Sequence, residues 1–267
     1  MQTLGIITND QTGVFQRQVI AGVCDIAEPA GYAVRLDALV ENPGGKVTLT
    51  PQQIDGLLII ANPVTPEFLQ KFYNAHKPIS LVSDHEPELP IPGVVFNNAQ
   101  GIRALVRHLV EDCQRRQLIF VRGIPQQYDA KQREQAFRQE LMRYNLPAAR
   151  FLPGDFDPPL AAASIRSALQ AGETFDAVIA ADYLMAEAVA ETLREANIRV
   201  PQDVSVAGFG DAPEAEAAGI TTVAANVREL GQRSARQLIH QMKGLSIRGL
   251  TTLSVELVIR QTSEPGR

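Results

Sequence analysis

The sequence predicts an α/β protein made of two doubly wound lobes, each with its own parallel sheet. Short β-branched runs alternate with longer stretches of helical period from the first residues onward, as βαβ units require. The same rhythm starts afresh after the helix near residue 105, which implies a second lobe. The 267 residues are 45% hydrophobic and 21% charged, an ordinary globular balance with material for two cores rather than for a disordered chain.

In chain order, Leu4 to Thr8 reads as a buried strand, and Val19, Ile20, Val23 and Ile26 as one face of a helix that ends near Pro29-Ala30-Gly31. Strands follow at Tyr32 to Leu39 and Gly56 to Ile60, then a helix around Phe68 and Phe72 and a strand at Ile79 to Val82. Val94 to Phe96 leads into a helix whose Ile102, Leu105, Val106, Leu109 and Val110 share one face. In the second lobe the expected strands are Leu118 to Val121, Phe151 to Leu152, Ala177 to Ala180, Val204 to Phe209 and Ile220 to Ala224. Helices there carry Phe137 and Leu141, Ile165 and Leu169, and Met185, Val189 and Leu193. A last helix with Leu230, Leu238, Ile239 and Met242 precedes one final strand from about Leu253 to Ile259. With no low-complexity linker between the halves, several short crossings are expected rather than one tether.

A net charge of -5 argues against a nucleic-acid grip, which needs clustered Lys and Arg. Arg115-Arg116, followed by Arg122, reads as a solvated helix end. Cys24 and Cys113 lie in apolar helical patterns and read as small buried hydrophobes in a reducing, cytoplasmic setting. No secretory signal and no apolar stretch of membrane-spanning length is present.

Signals for catalysis are missing. Gly208-Phe209-Gly210 follows a strand, but no third glycine completes a dinucleotide fingerprint, and the acidic Asp211-Ala212-Pro213-Glu214 would repel a pyrophosphate. There is no P-loop, nucleophile elbow, His-Glu-x-x-His or Cys-x-x-Cys, so no cofactor and no metal are expected. His76, His85, His108 and His240 are scattered. His108 and His240 are expected at surface or partly covered helix positions, and His85, in a loop beside Asp84, is a weak site candidate.

Several separated stretches together resemble the effector-binding domain of the LacI/GalR family of bacterial repressors, similar in fold to type I periplasmic binding proteins. They include Leu4-Gly5-Ile6-Ile7; Asp55-Gly56-Leu57-Leu58; Val95-Phe96-Asn97-Asn98-Ala99-Gln100-Gly101 with His108-Leu109; Arg133 with Phe137; and Ala180-Ala181-Asp182. Pro201 to Phe209, Ile220-Thr221-Thr222-Val223, Glu229-Leu230-Gly231 and Glu256 to Arg260 continue the family's order to the end of the chain. The resemblance implies a three-crossing hinge, with one lobe at 1–97 plus 227–254 and the other at 98–226 plus 255–267, and a ligand between the lobes. That ligands bind at the carboxyl ends of strands also follows from the general rule for open α/β sheets.

Positions matching the family's ligand contacts are Asn9, Asp10 and Phe15, Asp84, Asp129 and Arg133, Phe156, Asp182 and Asp211. Each has a plainer alternative. Asn9 and Asp10 also suit a turn or N-cap, Phe15 and Phe156 a core, Asp129, Asp182 and Asp211 helix caps, and Arg133 an exposed helical charge. The chain departs from the pattern at Gly210, where an acidic residue is common, at Ala225, at Ser83, and at Ala136 in place of a glycine. Glu41 to Gln53 is short and Pro/Gly-rich for the usual second helix. A hexose gripped by many carboxylates is therefore a poorer fit than the fold itself.

The implied function is a ligand-sensing regulatory domain that binds a small-molecule effector, works as a homodimer, and reaches DNA only through a helix-turn-helix module that precedes such domains and is not in this sequence. A transport binding protein, a sensor joined to another signalling output and, last, an enzyme are the rivals.

Overall fold

The computed structural model describes residues 1–38, 49–61 and 64–264. The chain forms β1 (Thr3–Thr8), α1 (Val14–Ala27), β2 (Ala33–Ala38), β3 (Gly56–Ile60), α2 (Pro66–Asn74), β4 (Ile79–Val82) and β5 (Gly93–Phe96). It continues through α3 (Asn98–Arg107), β6 (Leu118–Val121), α4 (Tyr128–Arg143), β7 (Arg150–Leu152), α5 (Pro158–Gln170), β8 (Ala177–Ala180) and α6 (Tyr183–Glu195). Last come β9 (Ser205–Phe209), α7 (Pro213–Ala217), β10 (Thr221–Ala224), α8 (Val227–Met242), β11 (Leu250–Leu253) and β12 (Glu256–Val258).

These elements divide into two units, Met1–Phe96 with Asn226–Leu253, and Asn97–Ala225 with Ser254–Arg267. The first unit's sheet runs β11-β5-β4-β3-β1-β2, with every pair parallel. The second runs β12-β10-β9-β8-β6-β7 and is parallel except for the edge strand β12, antiparallel to β10. Strands covered on both faces must be apolar throughout rather than alternating. That is why β3, Gly-Leu-Leu-Ile-Ile, and β4, Ile-Ser-Leu-Val, are buried at every residue.

In the first unit α1 and α8 touch backbone to backbone. A Cβ on Gly22 would stand 2.1 Å from the Arg228 carbonyl oxygen, and one on Gly231 would stand 2.1 Å from that of Val19. Arg228 donates to both oxygens of Asp25 at 2.6 Å, and Gln232 adds a bond at 3.0 Å. Arg228 holds the Asp25 carboxyl down at about 2. In the second unit Phe120, Phe137 and Phe151 form a mutual ring cluster with centroids 5.2 to 5.9 Å apart, seating α4 on β6 and β7.

The structure corrects the sequence reading in several places. The single final strand expected over Leu253 to Ile259 is two strands in two different sheets, β11 and β12. Ser254-Val255 turns the chain from one unit to the other without a glycine or proline to mark the break. The short helix α7, opened by Pro213, has too few turns to show a period.

His108 is not at the surface. It is buried where α3 widens into a π-helical turn, with Nδ1 2.9 Å from Asp112 Oδ2 and Nε2 2.9 Å from Ser263 Oγ. Cys24 and Cys113 are half-buried rather than core, and Cys113 Sγ donates to the Ser263 carbonyl. Arg115 is no solvated charge, because it donates to the carbonyls of Pro201, Gln202 and Asp203 and to Ser205 Oγ, pinning the loop before β9. Of the segment Glu41 to Gln53, residues 41–48 lie outside the described residues; Pro51–Gln53 is a 3-10 turn opened by a Thr50/Gln53 capping box.

Since the α1–α8 contact is between main chains, no side chain can move aside for a methyl group. Gly231→Ala is expected to destabilise by about 2 kcal/mol or more, lowering Tm by at least about 4 °C in thermal unfolding.

Candidate functional site

The carboxyl ends of the second unit's strands are organised around Arg133. The buried face of α4 carries Asp129 and Arg133 in its first turns and Phe137 and Leu141 further on, beside the buried Glu140 that Arg103 pairs at 3.1 Å. The helix thus plants a guanidinium beside the strand ends while its later turns pack on the ring cluster. Arg133 Nε donates to Asn98 Oδ1 at 2.8 Å, and Nη1 donates to the Ala181 carbonyl, just past β8, at 2.7 Å. Its guanidinium carbon lies 3.8 Å from the centroid of the Phe209 ring at the end of β9. Asn98 Nδ2 in turn donates to Asp129 Oδ1 at 2.7 Å. Arg133 and Asp129 are one helical turn apart at 3.6 Å, an ion pair too long for a hydrogen bond.

A guanidinium has five N–H donors, so the other three of Arg133 have no hydrogen-bond partner among the described residues. Burial pushes its pKa down from the usual value, and the carboxylates of Asp129 and Asp182 oppose that shift. Gly101 completes the arrangement, since a Cβ there would stand 2.7 Å from the Phe209 ring that Arg133 covers.

Asp182 is the N-cap of α6, its Oδ1 accepting the Met185 N–H at 2.8 Å. Burial raises its carboxyl to about 6, against the lowering effect of the Met185 N–H and of Arg133. Cap and charged neighbour are therefore roles of one residue, and each of Arg133 and Asp182 lies within the other's field.

Phe156 has φ +58 and follows Asp155 at φ +49, a conformation an aromatic residue rarely holds. Its half-buried ring lies against Gly123 just past β6, where a Cβ would be 2.2 Å from the ring. Asp211 is tied into the protein: Oδ2 accepts Arg260 Nη2 at 3.0 Å and Oδ1 accepts Thr222 Oγ1 at 3.1 Å. It caps no helix, whereas Asp182 does.

In the first unit the strand-end candidates lie after β1 and β4. Asp10 Oδ1 accepts both the backbone N–H and the hydroxyl of Thr12 at 2.7 Å, forming a turn that lowers the Asp10 pKa. Asn9 Oδ1 is 3.5 Å from Gln16 Nε2, and Phe15 is a half-buried residue of the first turn of α1. Asp84 is buried directly after Ser83, whose φ is +55. His85 beside it is exposed.

Thus Asp129, Arg133 and Asp182 are brought into one network, Phe156 lies past the strand ends of the same unit, and Asp211 is engaged by Arg260. Sequence reasoning missed Asn98, which reads as one of two consecutive helix-opening amides; Asn97 is the cap, leaving Asn98 to face Arg133. It also missed Tyr183, hidden in the apolar face of α6. Among the described residues no group of His, Cys, Asp and Glu could hold a metal ion, and no helix is long and apolar enough to cross a membrane.

Residues 106–263 match the model of the periplasmic binding protein-like domain. The chain belongs to that family. Within it the domain is a LacI-type effector-binding domain, as its relatives indicate. It is 23% identical to the HTH-type transcriptional repressor PurR of Photobacterium profundum, over 98% of this chain and 81% of that protein. It is 25% identical to the lactose operon repressor of Escherichia coli, over 97% of this chain and 74% of that one. In structure this LacI-type domain is similar to the lac repressor dimer bound to operator and the anti-inducer ONPF, with TM-score 0.88, 24% identity, and 98% and 93% of the two chains covered. A LacI family regulator from Enterococcus faecium with bound ribose aligns equally well, with TM-score 0.88, 20% identity and both chains fully covered.

Asp182 supplies a pH test. Its folded-state pKa, about 6, lies above the ordinary 3.8, so between these values the native state holds a proton that the unfolded chain has lost. Stability from this residue therefore falls as pH rises from about 4 to about 6. Asp182→Asn keeps a capping side chain and removes the charge. In urea unfolding at pH 4 and pH 7, it is expected to remove about 1–2 kcal/mol of that decline, a range reduced for the partial exposure of the residue.

Proposed function

We propose that this chain is the ligand-sensing domain of a LacI-type transcriptional regulator, binding a small-molecule effector at the carboxyl ends of its strands. The observation that carries the reading is Arg133. A buried guanidinium is fixed on two acceptors and an aromatic face, yet three of its N–H groups make no hydrogen bond among the described residues, beside the strand ends where ligands of open α/β sheets bind. Rigid, unspent donors of this kind suit the oxygens of a sugar, a related metabolite or a small acid. Asp182 would accept a hydrogen bond from the same ligand, and Phe156, held in a strained conformation, would cover its apolar face. In the first unit Asn9, Asp10, Phe15 and Asp84 are proposed as further contacts, with Asp211 acting through its tie to Arg260.

The domain is proposed to be non-catalytic and cytoplasmic, and to pair with a second copy. Effector binding would shift an equilibrium between arrangements of the two units and pass it to a DNA-binding module attached to the same polypeptide. A ligand can do this only to the extent that it binds one arrangement more tightly than the other. The repressors related to this chain make that output a regulatory one.

A thermal-shift screen over sugars, sugar phosphates, purines and small acids is expected to yield at least one stabilising compound. In calorimetry, Arg133→Ala and Asp182→Ala are each expected to weaken its binding by about 1–3 kcal/mol, roughly ten- to hundred-fold. Unchanged affinity in both variants would remove the site assignment. Because Arg133 also pairs Asn98 and the Ala181 carbonyl, Arg133→Ala is expected to lower stability too, unlike a change at a freely exposed arginine.

A further inference from the structure

Tyr183 is the first residue of α6, directly after the Asp182 cap at the carboxyl end of β8. Its backbone lies against the end of β9, where a Cβ on Gly208 would stand 2.8 Å from the Tyr183 Cα. Its ring borders Gly210, where a Cβ would stand 3.5 Å from the ring and where φ is +85, so no side chain is favoured beside it. Tyr183 is 8% exposed, and its hydroxyl is buried with no hydrogen-bond partner among the described residues. Buried hydroxyls are nearly always paired, because leaving one unmade costs its desolvation.

We infer that Tyr183 is a specificity-determining residue of the effector site, its phenol O–H donating to a neutral acceptor oxygen or nitrogen of the effector in the space beside Gly210. The inference rests on the effector reading above. Burial pushes the phenol up to about 12, and the charged groups acting on it, Glu214, Asp182, Glu187 and Asp211, all carboxylates, push the same way. The hydroxyl therefore stays protonated and able to donate. The same carboxylates disfavour an anionic group at this point, so a ring oxygen, carbonyl or ring nitrogen fits where a phosphate or carboxylate does not. Such a donor selects for an acceptor on the ligand, because an analogue without one leaves the hydroxyl unpaired.

The test is Tyr183→Phe, compared with the native chain in thermal unfolding alone and with D-ribose, lactose, glucose 6-phosphate and hypoxanthine, followed by calorimetry with whichever probe binds. Without a probe the variant is expected to be at least as stable as the native protein, because an unmade hydrogen bond is removed. A Tm more than about 2 °C lower would show that the hydroxyl serves the fold, and would overturn the inference. With a probe that stabilises the native chain, the variant is expected to bind about ten-fold or more weakly. Equal affinity would overturn the role of Tyr183 while leaving the effector reading in place. If neither these four probes nor any compound of the wider screen over sugars, sugar phosphates, purines and small acids shifts the native chain, the effector reading itself is contradicted, and this inference with it.

Discussion

Burying a positive charge without losing the fold is the constraint around which the second unit is arranged. A guanidinium withdrawn from water is tolerated only when its donors find acceptors and its charge finds an opposite. For Arg133 the acceptors come from two different elements, Asn98 at the start of α3 and the Ala181 carbonyl past β8, while the Phe209 ring at the end of β9 supplies a face. Asp129 and Asp182 supply the opposing charge. One side chain thereby fixes α3, α4 and two strand ends against each other, and the donors it does not use are held in one orientation. Pre-organised polar groups of this kind reduce the ordering cost of binding, which is what a sensor of a small solute needs.

The strand ends carry a second shared feature. Residues in the left-handed region directly follow β3 at Ala61, β4 at Ser83 and β9 at Gly210, and Phe156 lies in the loop after β7. Only one of the four is a glycine, so at three places the chain accepts a conformation that its side chain disfavours. After β3, β4 and β9 the left-handed residue comes directly after the strand and turns the backbone off the sheet. Short side chains then end beside the strands instead of being carried away into a loop.

Much of the fold was legible because parallel strands buried on both faces write themselves as uninterrupted apolar runs, and the intervening helices write a 3.6 period. Leu118 to Val121 and Ala177 to Ala180 are unambiguous for that reason. The break between β11 and β12 was not legible, since Ser254-Val255 keeps the β character of its neighbours. Nor was the burial of His108, whose partners Asp112 and Ser263 lie at opposite ends of the second unit's sequence. At the site, residue types could nominate Arg133 and Asp182. They could not show that one aspartate caps a helix while Asp211 is held by an arginine 49 residues away. Asn98 and Tyr183 escaped notice because an amide at a helix start and a tyrosine on an apolar face each have an ordinary explanation. Only the hydrogen-bond accounting separates them from it.

The most direct test of this organisation is proton NMR of the Arg133 Nε–H, identified by its loss in Arg133→Lys. Fixed between Asn98 and the ring of Phe209, it is expected to give a resolved resonance that exchanges with water far more slowly than the exposed arginines, and that becomes fast in Asn98→Ala. Exchange at the rate of a surface arginine in the native protein would contradict the rigid, buried guanidinium on which the proposed effector site rests.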